Sequence, residues 1–254
     1  MKILLTNDDG YNAPGILALY EALSADHDVL LIAPDREKSA VGHGISLNQP
    51  MRIQALPLNN GSRGYGITGT PADCIKLGLF ELCPSKPDLI ISGINPGCNT
   101  GVDINYSGTV GAAREGALNR ILSMAVSIRK TGNELDFKGM SGFIAGLAEK
   151  VHDFGLPKGT FLNINAPDIP VDGVRGVRIT RQAQNNVSEQ FEKRLDPKNR
   201  FYYWYGTVSR ADGEMDTDTH ALAENCISIT PIQCDLTDYK TMERLCSLPL
   251  NGKY

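Results

Sequence analysis

The chain has 254 residues, enough for one large α/β domain or for one domain with an appended piece. Its apolar fraction of 41% supports a sizeable core and excludes wholesale disorder, and its net charge of −4 excludes a global basic field for a nucleic-acid backbone. No run approaches the roughly 18 apolar residues of a membrane span. Met1–Thr6 meets two aspartates too early for a signal peptide, so the expected setting is cytoplasmic, with neither nucleic acid nor membrane as partner. The six cysteines form no C-x-x-C pair and no zinc spacing, and they read as reduced, mostly buried thiols.

In chain order, Lys2–Thr6 is a short β-prone run. Pro14–Ala25 carries Ile16, Leu19, Tyr20 and Leu23 at helical spacing, with Pro14 suited to a first turn. Asp28–Ala33 is a second apolar strand stopped by Pro34. Ser46–Ile67 reads as extended pieces around the hairpin signal Asn59-Asn60-Gly61. Thr70-Pro71-Ala72-Asp73 is a helix start, and its helix should reach about Leu82. Asp88–Ser92 and Leu122–Ile128 are further strands, with helices expected at Ser107–Asn119 and Met140–His152. Continuous apolar strands alternating with amphipathic helices predict a doubly wound, mostly parallel Rossmann-like sheet. After Asp168 this rhythm fades. Val177–Gln182 and Phe201–Val208 read as a hairpin arm joined by the polar stretch Asn185–Arg200, Cys226–Pro231 as a late strand returning to the sheet, and Thr237–Leu245 as a terminal helix. The expected division is a catalytic core over 1–168 and an arm with a C-terminal extension over 169–254, serving oligomerisation.

Parallel sheets bind ligands beyond the carboxyl ends of their strands, so the loops there matter most. The first is Asn7-Asp8-Asp9-Gly10. Adjacent carboxylates repel unless a cation neutralises them, and hard cations such as Mg²⁺ or Mn²⁺ prefer such oxygens. The same residues equally suit a solvated turn. The second loop, Pro34–Ala40, offers the Ser39 hydroxyl and cations at Arg36 and Lys38. The third, Ser92–Gly101, offers the neutral amide oxygen of Asn95 in a glycine-rich setting that fits neither a P-loop nor a dinucleotide fingerprint. Next comes Ser107-Gly108-Thr109, small residues opening a helix whose free N–H groups and dipole suit an anion, although a plain Ser cap has the same sequence. A carboxylate pair, further oxygen ligands and an anion cradle together suit phosphate-ester hydrolysis. His27, His43, His152 and His220 default to surface or structural roles. Asp216–His220 either caps a helix or reaches an active site, and capping is the simpler reading.

The segments LLTNDDG, APDREKSAVGHGIS, GTPADCIKLGL, PDLIISGINPGCNTG and YSGTVGAAREGA, followed by FLNINAP and SITPI, resemble the SurE family of survival-protein nucleotidases. The resemblance implies a Rossmann-like 5′-nucleotidase, a phosphomonoesterase acting on nucleoside 5′-monophosphates, with 3′-monophosphates and polyphosphate as further substrates. It implies one divalent metal ion per subunit, Mg²⁺ or Mn²⁺, on Asp8, Asp9, Ser39 and Asn95, with Asp8 and Asp9 catalytic. Phosphate contacts then fall on Asn99, Ser107, Gly108 and Thr109. It further implies a homodimer or homotetramer built by exchanged hairpins and C-terminal segments, for which the aromatic run Phe201–Tyr205 is suited. Two other readings compete. A signalling receiver also carries an early acidic pair, but Asp88–Ser92 leads into Gly93-Ile94-Asn95 without the acid a receiver needs. A nucleotide-binding regulator without turnover would carry the same ligands as the enzyme.

Overall fold

The computed structural model describes residues 1–58, 63–132, 134–184, 191–206 and 214–248. Nine of its strands form one sheet: β1 (Lys2–Thr6), β2 (Asp28–Pro34), β3 (Ile53–Pro57), β4 (Arg63–Ile67), β5 (Leu89–Pro96), β6 (Leu122–Ile128), β7 (Thr160–Ala166), β8 (Val177–Ile179) and β11 (Ile227–Gln233). Their spatial order is β3-β4-β2-β1-β5-β6-β7-β11-β8. Pairing is parallel throughout except for β3 with β4 and β7 with β11. The chain winds outward from β1 through β2, then crosses back to lay β5 on the other side of β1. The strand order therefore reverses at β1, where a doubly wound sheet opens a crevice.

Alternation along each strand feeds two cores. Ile3 and Leu5 face α1 (Pro14–Leu23) and α4 (Phe137–Phe154), packing with Ile16, Leu19, Met140 and Ile144. Leu4 and Ile90 face the opposite side, with Ile75 of α2 (Pro71–Leu77) and Ala112 of α3 (Gly108–Leu118). The expected start of α2 is present as a capping box: Thr70 Oγ1 accepts from the Asp73 N–H, and the Asp73 carboxylate accepts from the Thr70 N–H. Beyond Leu77 the helix widens into one π-turn, Gly78–Leu82.

Several expectations need correction. Strand β5 does not stop at Ser92; it continues to Pro96 with a register shift between Ser92 and Asn95, so Asn95 stands on a strand rather than in a free loop. Gly93 makes that shift feasible, since its φ of +146° is closed to side-chain-bearing residues. Val177–Ile179 does not pair with the aromatic run. It adds to the edge of the main sheet, parallel to β11. The arm is instead β9 (Phe191–Leu195) paired antiparallel with β10 (Phe201–Tyr205). Strand β9 hides in the sequence because Glu192, Lys193 and Arg194 break its apolar pattern, and every residue of the ribbon is exposed on both faces. The turn Asn59-Asn60-Gly61 and the end of the aromatic run at Val208 lie outside the described residues. Thr217 caps α5 (Asp218–Ala223) through its side chain, as the simpler reading of that segment expected. The terminal helix is α6 (Tyr239–Cys246).

Candidate active site

The first loop leaves the carboxyl end of β1 and is locked by Asn7, whose amide nitrogen donates to Gly10 O (2.9 Å) while its amide oxygen accepts from the Gly10 N–H (3.2 Å). This turn presents Asp8 and Asp9 side by side. Asp8 is buried, 6% exposed, at the start of α3. Its Oδ1 accepts from the Thr109 hydroxyl at 2.5 Å, and the Thr109 N–H adds a second bond. The approach is close enough to require glycine at 108, where a Cβ would meet Asp8 Cβ at 2.9 Å.

The second loop crosses over the first. Lys38 N–H donates to Asp8 O (2.7 Å) and Gly42 N–H to Tyr106 O (2.8 Å). Beyond Gly42, His43 Nε2 meets the Glu115 carboxylate of α3 at 2.9 Å, and Lys76 Nζ reaches the other oxygen at 2.9 Å. These partners, together with Asn119, outweigh burial and hold the Glu115 carboxyl down at about 2. His43 therefore anchors the Ser39 loop to the helix that opens beside Asp8. Ser39 itself is exposed and donates to Glu37 Oε1 at 2.5 Å, which leaves its lone pairs available. Asn95 Nδ2 donates to Gly97 O (2.6 Å), so its amide oxygen is the end left for a ligand.

Asp8, Asp9, Ser39, Asn95, Asn99 and Ser107 line one cleft of about 450 Å³. Glu37, Cys98, Asp103 and Lys130 share it; the sequence alone did not single out Glu37, Asp103 or Lys130. Four carboxylates thus face one cation among the described lining residues. Burial raises the Asp8 carboxyl above its ordinary range. Burial, then the charges of Asp8 and Glu37, push Asp9 up to about 7, with Lys130 opposing. Asp9 Oδ2 is buried without a hydrogen-bond partner. An all-oxygen set with excess negative charge and an orphaned carboxylate oxygen fits a hard divalent cation. No three of the described His, Cys, Asp and Glu side chains cluster for a metal. A larger groove of about 710 Å³ lies between α1 and β3, but it gathers no such polar convergence.

The anion cradle differs from expectation in one respect. Ser107 Oγ accepts from the Val110 N–H (3.1 Å) and keeps its own hydrogen to give. The Gly108 N–H, like that of any first turn, has no intrahelical acceptor. Thr109, however, spends its hydroxyl on Asp8, so it positions a carboxylate. The adjoining loop is braced from afar: Asp218 Oδ2 accepts from the Gly101 N–H (2.8 Å) and Gln182 Nε2 donates to Gly101 O (2.7 Å).

A family model described as Survival protein SurE matches residues 3–189. The chain belongs to the SurE family. It is 49% identical to the 5′-nucleotidase SurE of Desulfatibacillum aliphaticivorans over 246 residues, covering 96% of this chain and 97% of that one. It is 45% identical to the 5′-nucleotidase SurE of Caldanaerobacter subterraneus, covering 97% of this chain and 96% of the relative. The crystal structure of the SurE protein from Aquifex aeolicus superposes with a TM-score of 0.83 at 37% identity, covering 96% of this chain and 98% of that one. The SurE fold is thus shared over nearly the whole length. Among the described residues no helix is long and apolar enough to cross a membrane.

Proposed function

We propose that the chain is a 5′-nucleotidase, a metal-dependent phosphomonoesterase that converts nucleoside 5′-monophosphates to nucleoside and phosphate. The observation that carries this reading is the Asp8–Asp9 pair, Asp8 buried and Asp9 partly so, set at the switch point of the sheet against the start of α3. Asp8, Asp9, Ser39 and Asn95 would hold one divalent ion, Mg²⁺ or Mn²⁺. Bound there, the ion supplies positive charge to polarise the phosphoryl group and to lower the pKa of a bound water. The Ser107 hydroxyl and the Gly108 N–H donate to the equatorial phosphoryl oxygens, and Asn99 adds an amide contact. Asp8 is committed to Thr109, so Asp9, with its unpartnered oxygen, is the carboxylate assigned to orient the attacking water and take its proton. Lys130 offsets substrate charge at a mouth otherwise lined by acids.

Beyond residue 168, β8 and β11 complete the sheet and Gln182 and Asp218 brace the Gly101 loop, while the ribbon and the C-terminal segment serve assembly. The ribbon β9–β10 supports a homodimer or homotetramer: Phe191, Phe201, Tyr203, Trp204 and Tyr205 are all more than half exposed, which is costly on an isolated chain. A cytoplasmic setting accords with thiols such as the buried Cys74 and Cys226.

The test is phosphate release from a panel of 5′- and 3′-nucleotides and polyphosphate, with Mg²⁺, Mn²⁺ or EDTA. Turnover that EDTA abolishes and Asp8→Asn removes is expected. Full activity in Asp8→Asn would overturn the metal assignment. Stoichiometric nucleotide binding without phosphate release would make the chain a regulator instead.

A further inference from the structure

Strand β7 divides its side chains between the two faces of the sheet. Leu162, Ile164 and Ala166 join the core under α4. On the other face Phe161 packs against Val110, Ala113 and Ala117 of α3. The two remaining positions on that face are Asn163 and Asn165, both 0% exposed. A buried carboxamide is costly unless hydrogen-bonded, a cost that any aliphatic residue there would avoid. Asn163 Oδ1 has no partner at all.

What these amides do accomplish converges on one residue. The Asn99 N–H donates to Asn165 Oδ1 at 2.7 Å. Asn99 O accepts from Asn163 Nδ2 at 2.8 Å and from Asn165 Nδ2 at 3.2 Å. The Asn99 side chain is held in turn, its Nδ2 donating to Ser127 Oγ at 2.8 Å. Ser127 lies directly opposite Asn165 in the β6–β7 register and is also fully buried. The backbone N–H, the backbone C=O and the side chain of Asn99 are therefore each fixed by a residue on a strand. Asn99 Oδ1 and the second Nδ2 hydrogen remain for the cleft, which Asn99 lines at 8% exposure.

We propose that Asn163, Asn165 and Ser127 are positioning residues that hold the Asn99 carboxamide in register with the substrate phosphate. This rests on the reading of Asn99 as a phosphate contact. Side chains on strands hold a loop amide more tightly than the loop could by itself, and a reacting geometry lost by about 1 Å costs on the order of 100-fold in rate. The expense of burying amides in the sheet is thus matched by placement at its edge.

A double-mutant cycle tests the proposal. Asn99→Ala, Asn165→Ala and the double variant are compared for kcat/KM on a nucleoside 5′-monophosphate with Mn²⁺, for inhibition by inorganic phosphate, and for melting temperature. Asn165→Ala is expected to lower kcat/KM and weaken phosphate inhibition by about 10- to 100-fold in the native background. In the Asn99→Ala background it should cost less than about threefold, because what it positions is gone. Equal losses in both backgrounds would overturn the positioning role while leaving the Asn99 contact intact. An Asn99→Ala variant with native kcat/KM would overturn the contact itself and the inference with it. Should Asn165→Ala fail to fold, Ser127→Ala removes only one hydroxyl from the same brace. The same coupling is expected for it, and a native rate in Ser127→Ala would overturn the proposal.

Discussion

Replacing Asp9 by Asn should make the metal-free protein more stable and the enzyme inactive. In the metal-free state the Asp9 carboxyl is raised from 3.8 to about 7 by burial and by the neighbouring charges of Asp8 and Glu37. A group raised in the fold binds its proton more tightly there than in the unfolded chain. Its penalty is absent below about pH 4, where both states are protonated, grows as pH rises, and is complete above about pH 7. At full burial the rise would be worth about 4 kcal/mol; Asp9 is only partly buried, and solvent screening brings this to about 2 kcal/mol. For a chain of this length that corresponds to about 4–8 °C in melting temperature. The assay is thermal melting by circular dichroism, wild type against Asp9→Asn, in EDTA from pH 4.5 to 8. The gap should open with pH in favour of the variant. Adding Mn²⁺ should raise only the wild type, since the ion neutralises the pair and the amide binds it poorly. Superimposable melts at pH 8, or equal stabilisation of both by Mn²⁺, would refute the electrostatic reasoning.

Three further outcomes follow from the geometry. Thr109→Val removes the donor to Asp8 Oδ1 and should weaken metal affinity by about 10- to 100-fold, read by Mn²⁺ titration. Lys130→Ala should raise KM severalfold with kcat little changed, and the difference should shrink at high salt, because its charge acts on an exposed mouth. Glu115→Gln should cost about 1–2 kcal/mol at pH 7 after screening of its partly exposed partners. Since the Glu115 carboxyl is lowered from 4.5 to about 2, that stability is present above 4.5 and is lost as pH falls toward 2. Urea melts at pH 7 and pH 3 should therefore show the wild-type advantage narrowing.

The strand ends were legible in the sequence because β1, β2 and the first half of β5 are apolar runs that lead into loops of unusual chemistry. Thr70 and Pro71 gave the start of α2 by local rules alone. Strand β7 was visible only through the family motif FLNINAP: Asn163 and Asn165 spoil the apolar pattern of a buried strand, and the hydrogen bonds that justify them come from a loop more than 60 residues earlier. Asn95 lines the cleft, but the sequence placed it in a loop, since no local signal shows β5 resuming past its register shift. Lys130 and Glu37 escaped because a charge beside a strand is usually only solvated surface. Their meaning lies in the acids opposite them, which only the folded chain brings near.

The braces on the Asn99 loop carry a consequence for synthesis. Both aspartates leave the ribosome with the first turn of chain, and the loop with Asn95 and Asn99 follows. Asn163 and Asn165, however, lie 64 and 66 residues beyond Asn99, and Asp218 lies 117 beyond Gly101. Chain emerges in order, and contacts so distant in sequence form late. A nascent or prematurely stopped chain therefore displays its carboxylates long before the Asn99 loop is braced. The acidic pair and the braces of the Asn99 loop are thus made at well-separated stages of synthesis.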